Sequence, residues 1–137
     1  MSTVAIEPRV HRRLVIADDS AEMRWLVRSA VGGDFHEVVE AAAGRQLLWT
    51  LLRSSFVAGH AEHEDLVVIT DLRMPGYDGL EVLDAWRELE RRVPTILITA
   101  FPSDSVRARA KELGIAVLAK PFSTAALRQT LRELVHG

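Results

Sequence analysis

The sequence predicts an α/β domain: an open, doubly wound parallel sheet of five strands with five helices covering both faces. Three observations carry that reading. Short apolar runs alternate five times with amphipathic segments, which is the pattern of successive β/α units. The polar residues that break the apolar runs fall at one end of them, the C-terminal end. No internal repeat, low-complexity tract or interdomain linker divides the 137 residues, a length that closes one core without disulfides or metals.

The elements follow in order. Residues 1–12 are set aside as an N-terminal extension of a domain spanning 13–137. MSTVAIEPRVHRR holds no long apolar segment, so neither a signal peptide nor a membrane anchor is expected. Leu14 to Ala17, within RLVIADDSAE, form the first strand, apolar on both faces. Ser20 caps a helix whose apolar stripe is Met23, Leu26, Val27, Ala30 and Val31, and Gly32 and Gly33 stop it. Phe35 to Ala41 reads as strand two, and Leu47, Leu48, Leu51 and Leu52 mark helix two. A looser stretch from about Ser54 to Asp65 precedes strand three, Leu66 to Asp71. MPGYDG is a turn by its Pro and Gly content, and Leu80, Leu83 and Trp86 lie along the helix behind it. Strand four is Thr95 to Ala100, helix four about Ser103 to Leu113, and strand five Ala116 to Lys120. A last helix, capped by Ser123, carries Leu127, Leu131 and Leu134.

Composition removes several functional classes. With 48% apolar and 26% charged residues and a net charge of −2, the chain lacks the basic surface of a general nucleic-acid binder. It has no cysteine, so disulfides and thiolate zinc sites are excluded and a reducing cytosol is the expected setting.

Function is expected where the polar residues gather. In open parallel sheets ligands bind outside the carboxyl ends of the strands, near the point where strand order reverses. Asp18 and Asp19 end strand one, Asp71 ends strand three, Thr99 strand four and Lys120 strand five. Two adjacent aspartates at the lip of a dry core repel each other and resist desolvation, so the pair needs a reason to be there.

The DD after strand one, the D of ITDLRMPGYDGLEVL, the T of ILITA and the K of LAKPF together resemble the receiver domain of bacterial two-component response regulators. The ordered set carries the resemblance, from about Leu14 to Leu134, and not any one element. It implies a flavodoxin-like sheet of order 2-1-3-4-5, a cis bond between Lys120 and Pro121, and a cytoplasmic signalling protein. Asp71 would accept a phosphoryl group from a phosphohistidine on a sensor histidine kinase or histidine phosphotransferase. Mg²⁺, a hard cation that keeps several waters, would be held by Asp19 and Asp71 directly, by Asp18 mostly through water, and by the backbone carbonyl of Arg73. Lys120 and the Thr99 hydroxyl would bind the phosphoryl oxygens. Such a protein is a phosphoacceptor that assists its own phosphorylation and dephosphorylation, and not an enzyme in the usual sense. With no DNA-binding or catalytic segment after the last helix, its output is expected through a downstream protein, with no direct nucleic-acid or membrane contact.

Some positions depart from the family pattern. Three residues before the lysine, where receivers usually carry Tyr or Phe, stands Val117, expected to contribute buried methyl groups and no switching ring. Phe101, two residues after Thr99, is the nearest large side chain to take that part, at a position that also tunes phosphoryl lifetime, as does Arg73. His60 and His63, among Glu62, Glu64 and Asp65, read as a solvated loop. Trp25 and Trp49 lie off their helical stripes and are expected to cover core edges, with Trp25 alternatively touching the phosphodonor. A dehalogenase-like phosphatase needs a second Asp two residues after the nucleophile, where this chain has Arg73. A flavin mononucleotide binder needs a Ser/Thr/Gly-rich phosphate loop where this chain has Asp18 and Asp19. The rival that remains is a pseudo-receiver, of the same fold but not phosphorylated.

Overall fold

The computed structural model describes residues 11–58, 64–76, 78–87 and 93–136. Five strands, β1 (His11–Ala17), β2 (Glu37–Ala41), β3 (Glu64–Asp71), β4 (Thr95–Thr99) and β5 (Ala116–Ala119), pair in parallel in the order β2-β1-β3-β4-β5. The helices are α1 (Ala21–Val31), α2 (Gly44–Ala58), α3 (Gly79–Arg87), α4 (Asp104–Leu113) and α5 (Thr124–His136). Among the described residues no helix is long and apolar enough to cross a membrane.

Strand alternation divides the core into two layers. Leu14 and Ile16 of β1, Val67 and Ile69 of β3, and Ile96 and Ile98 of β4 meet Val27 and Val31 of α1 and Leu127 and Leu131 of α5. Val15, Ala17 and Val68 face the other way, against Leu47 and Leu51 of α2, Val82 of α3 and Met74 of the loop before it. The continuous apolar runs therefore belong to strands covered on both sides. Hydroxyl caps start three helices: Ser20 Oγ accepts the Met23 N–H, Ser103 Oγ the Val106 N–H and Ser123 Oγ the Ala126 N–H.

Several boundaries differ from those the sequence suggests. Strand two begins at Glu37 because Gly32–Asp34 forms a 3₁₀ turn that Phe35 closes, its N–H donating to the Gly32 carbonyl. Phe35 still packs on the core, from the turn and not from the strand. Gly32 ends α1 with a right-handed φ of −61°, so the helix tightens into that turn instead of reversing. Both ends of the stretch expected to be loose belong to regular elements. Ser54–Ala58 continue α2, and Glu64 and Asp65 open β3, paired with His11 and Arg12. Helix α3 buries Val82, which the stripe of Leu80, Leu83 and Trp86 passes over. The side chains of Leu83 and Trp86 lie outside the described residues, as do His60, Glu62, His63 and positions 1–10 of the N-terminal extension.

Two exposure expectations also change. Val117 is half-buried, because β5 is an edge strand with no neighbour beyond it. Trp25 and Trp49 are 68% and 61% exposed, so both side chains lie largely in solvent.

Candidate functional site

Strand order and register decide which polar ends meet. β1 pairs with β3 so that Ala17 sits opposite Thr70, and the next residue on each strand is Asp18 and Asp71. β3 pairs with β4 so that Asp71 sits opposite Ile98, beside Thr99. β4 pairs with β5 so that Thr99 sits opposite Ala119, and the Lys120 N–H donates to the Thr99 carbonyl at 2.8 Å. The order reverses between β1 and β3, where the aspartates converge.

Asp18, Asp19 and Asp71 each offer a carboxylate oxygen, and these oxygens lie within 4.8 Å of one another. Asp18 and Asp71 are buried, whereas Asp19 is exposed at the mouth. Lys120 Nζ stands 3.6 Å from Asp18 Oδ2 and 3.5 Å from Asp71 Oδ1, too long for good hydrogen bonds but close for charge attraction. The Lys120–Pro121 peptide is cis. Thr99 is buried and its hydroxyl accepts the Phe101 N–H at 3.2 Å, whereas the Phe101 ring is 80% exposed. The link between Thr99 and Phe101 thus runs through a backbone amide and not through packing of the ring. Arg73 is exposed in the loop after β3.

The pocket's chemistry fits a hard cation. Asp18 Oδ1 accepts the Ser20 N–H at 2.8 Å, but buried Oδ2 has no hydrogen-bond partner. A buried carboxylate oxygen left unmatched is costly unless a cation or water meets it. Three acidic oxygens with that orphan among them suit Mg²⁺ better than a softer metal, since neither sulfur nor imidazole is present in the cluster.

Burial is the largest influence on the Asp18 carboxyl and raises its pKa. The Ser20 N–H opposes the shift, Asp71 adds to it, Lys120 opposes it and Asp19 adds to it. A carboxyl raised in the fold contributes stability that is full below the unfolded value, about 3.9, and is lost as pH rises through the folded value. At neutral pH the metal-free protein therefore carries Asp18 at a cost. Asp18→Asn, which keeps an oxygen for the Ser20 N–H, is expected to raise the metal-free thermal midpoint at pH 7, by an amount that shrinks toward pH 4. A lower midpoint for Asp18→Asn at pH 7 would mean that attraction to Lys120 outweighs burial.

Two residues beside the site received no role from the sequence, although Gly79 lies inside the MPGYDG turn. Gly79, the first residue of α3, lies so close to β3 that an added Cβ would stand 2.8 Å from the Asp71 carbonyl oxygen. Arg24 of α1 donates through Nη1 to the Asp18 backbone carbonyl at 2.7 Å. Its place one turn into a helix after two aspartates was the available hint.

Comparison with known proteins agrees with this fold. The family model described as the response regulator receiver domain matches residues 14–132. Sporulation initiation phosphotransferase F of Bacillus subtilis is 26% identical over 125 residues, covering 90% of this chain and 94% of the relative. Transcriptional regulatory protein TctD of Salmonella typhimurium is 33% identical over 130 residues, covering 90% of this chain but 52% of the relative, so the chain spans about half of that protein's length. Among solved structures, chemotaxis protein CheY4 of Vibrio cholerae superposes with a TM-score of 0.70 at 28% identity, over 90% of this chain and 98% of that one. The N-terminal domain of a Wolinella succinogenes protein gives 0.73 at 30% identity, over 90% and 94% of the two chains.

Proposed function

Because this chain belongs to the response regulator receiver domain family of two-component systems, we propose that Asp71 accepts a phosphoryl group and that the change switches protein contacts. The donor is a phosphohistidine on a sensor histidine kinase or histidine phosphotransferase. An Asp71 carboxylate oxygen attacks phosphorus, the N–P bond breaks, and the imidazole leaves with the bonding pair. The observation that carries the reading is the convergence of Asp18, Asp19 and Asp71 around an orphaned buried oxygen, with Lys120 Nζ within 3.6 Å of two of them.

Asp18, Asp19, Asp71 and the Arg73 carbonyl would hold Mg²⁺, which supplies charge neutralisation between an anionic nucleophile and an anionic phosphoryl group. Lys120, the residue after β5, would meet the arriving oxygens as a point charge. Thr99, on the strand next to Asp71, would exchange its contact with the Phe101 N–H for one with the phosphoryl group. The domain acts in the cytoplasm, and its first strand takes in His11 and Arg12 ahead of the expected start at 13. It works as a phosphoacceptor whose output passes to a protein target. Incubation with acetyl phosphate should add one phosphoryl mass in the presence of Mg²⁺ and none when the metal is chelated. No gain from small donors or from a phosphorylated kinase would leave an unphosphorylated interaction module.

The Thr99–Phe101 link gives a prediction about output. Phe101→Ala retains the backbone N–H, so phosphorylation at Asp71 should stay within about twofold of wild type. The exposed ring is available to a partner, and its loss should weaken target binding by roughly tenfold, the effect of one good aromatic contact. Val117→Ala, at a half-buried edge position, should instead cost about 1 kcal/mol of stability with little change in target affinity. Amide shifts with and without beryllofluoride, together with target affinities, separate the two. Unaltered affinity in Phe101→Ala would remove the ring from the output path.

A further inference from the structure

Outside the acidic pocket, an ion cluster joins the edge strand β2 to α1. Glu40 of β2 takes two arginines from α1, with Arg24 Nε donating to Oε1 at 2.9 Å and Arg28 Nη1 donating to Oε2 at 2.8 Å. The Arg28 hydrogen bond holds the Glu40 carboxyl below the usual range; burial opposes this and Arg24 adds to it, so the site stays ionised at neutral pH. Arg24 is the more enclosed arginine, its side chain 18% exposed against 52% for Arg28. A different nitrogen of the same guanidinium, Nη1, donates to the Asp18 carbonyl at 2.7 Å.

That carbonyl belongs to the peptide linking Asp18 to Asp19. The plane of this peptide sets ψ of Asp18 and φ of Asp19, and so the direction in which the Asp19 side chain leaves the backbone. On the other side the Asp18 N–H is held by the Ala41 carbonyl at 3.0 Å, and its Oδ1 accepts the Ser20 N–H. Asp19 itself is exposed at the mouth, so packing holds its side chain less than it holds that of buried Asp18. Its aim depends the more on the backbone. The planar guanidinium suits that task, because Nε and Nη1 can serve the carboxylate and the carbonyl together.

We propose that Arg24, braced by Glu40, is a positioning residue for the metal site: it fixes the Asp18–Asp19 peptide and thereby presents both carboxylates to the ion without touching it. The proposal rests on the Mg²⁺ site put forward above. A purely structural ion pair between α1 and β2 would give a different result, and the sign of the effect separates them. Removing a positive charge beside an acidic pocket strengthens cation binding if charge alone matters. Loss of a partner that orients metal ligands weakens it, typically by 10–100-fold.

The test is Mg²⁺ affinity measured by amide-shift titration of the wild type, Arg24→Met, Arg24→Lys and Arg28→Met. Arg24→Met is expected to bind Mg²⁺ about tenfold more weakly despite the lost charge. Arg28→Met removes the same charge from Glu40 but not the contact with Asp18, and should bind as well as wild type or slightly better. Arg24→Lys keeps the charge and can serve one of the two acceptors but not both, so it should fall in between. Where Arg24→Met fails to fold, Arg24→Lys against Arg28→Met makes the same comparison. Mg²⁺ binding in Arg24→Met or Arg24→Lys as tight as in the wild type overturns the positioning role and leaves the metal site standing. Absence of Mg²⁺ binding in the wild type overturns the site and this inference with it.

Discussion

Asp71→Asn is expected to abolish phosphoryl labelling by acetyl phosphate and Mg²⁺, while Asp18→Asn and Asp19→Asn slow it and still leave a product on Asp71. Strand order supports the proposed assignment among three clustered carboxylates. β4 lies beside β3 and not beside β1, so the buried Thr99 hydroxyl is next to Asp71 and one strand further from Asp18. A phosphoryl group on Asp71 has Thr99 on one side and Lys120 Nζ, 3.5 Å from its carboxylate, as a counter-charge. On Asp18 it would have Lys120 but stand one strand further from the Thr99 hydroxyl, inside a pocket already short of one hydrogen-bond donor. Asparagine preserves the shape of the side chain but removes the anionic nucleophile, so labelling measured by intact-protein mass should fall to background and not merely decline. A label that persists in Asp71→Asn and maps by peptide sequencing to Asp18 or Asp19 would show the nucleophile to be misassigned.

Gly79→Ala should lower the thermal midpoint and slow phosphorylation together. Two effects compete at this position. Alanine favours helix over glycine by at most about 1 kcal/mol, and less in a first turn. Against that, its Cβ would stand 2.8 Å from the Asp71 carbonyl oxygen, 3.3 Å from Leu97 Cδ1 and 3.4 Å from Thr70 Cγ2. The nearest of these is backbone, itself held by the Thr70 hydroxyl at 2.9 Å, and cannot swing aside. The start of α3 is held as well, by the Gly79 N–H on the Leu72 carbonyl at 2.8 Å. Overpacking of this kind costs about 1–3 kcal/mol, so the clash wins. For a chain of this size the midpoint should fall by roughly 4–12 °C.

Because the displaced carbonyl belongs to Asp71 itself, the rate of labelling should drop even at temperatures where the variant is fully folded. Leu131→Ala, a buried cavity mutation on α5 away from the pocket, is the control. It should destabilise by about 2–5 kcal/mol yet label at the wild-type rate when folded. Equal labelling by Gly79→Ala and wild type would mean that α3 moves away from β3 without disturbing the site.

What was legible in the sequence was what depends on local pattern. A strand covered on both faces must be almost continuously apolar, so Leu14–Ala17, Leu66–Ile69 and Ile96–Ile98 announce themselves. Helix starts were legible for the same reason, since Ser20, Ser103 and Ser123 each cap a backbone N–H within three residues. That was enough to name the α/β class and the sheet edge at which Asp18, Asp19, Asp71, Thr99 and Lys120 gather.

Boundaries at the sheet margins were less legible. Edge strands β2 and β5 bury their side chains incompletely, so Phe35 could pass for a strand residue and Val117 for a core one. Residues from different strands do not reveal their neighbours until the strands are paired. Only the tertiary structure set Asp18 opposite Asp71, brought Glu40 to Arg24 across 16 residues, and pressed Gly79 onto the Asp71 carbonyl. Strand order follows from covering both faces of the sheet at once, with α1 and α5 on one side and α2 and α3 on the other. That requirement acts on the whole chain together, and no single segment records it.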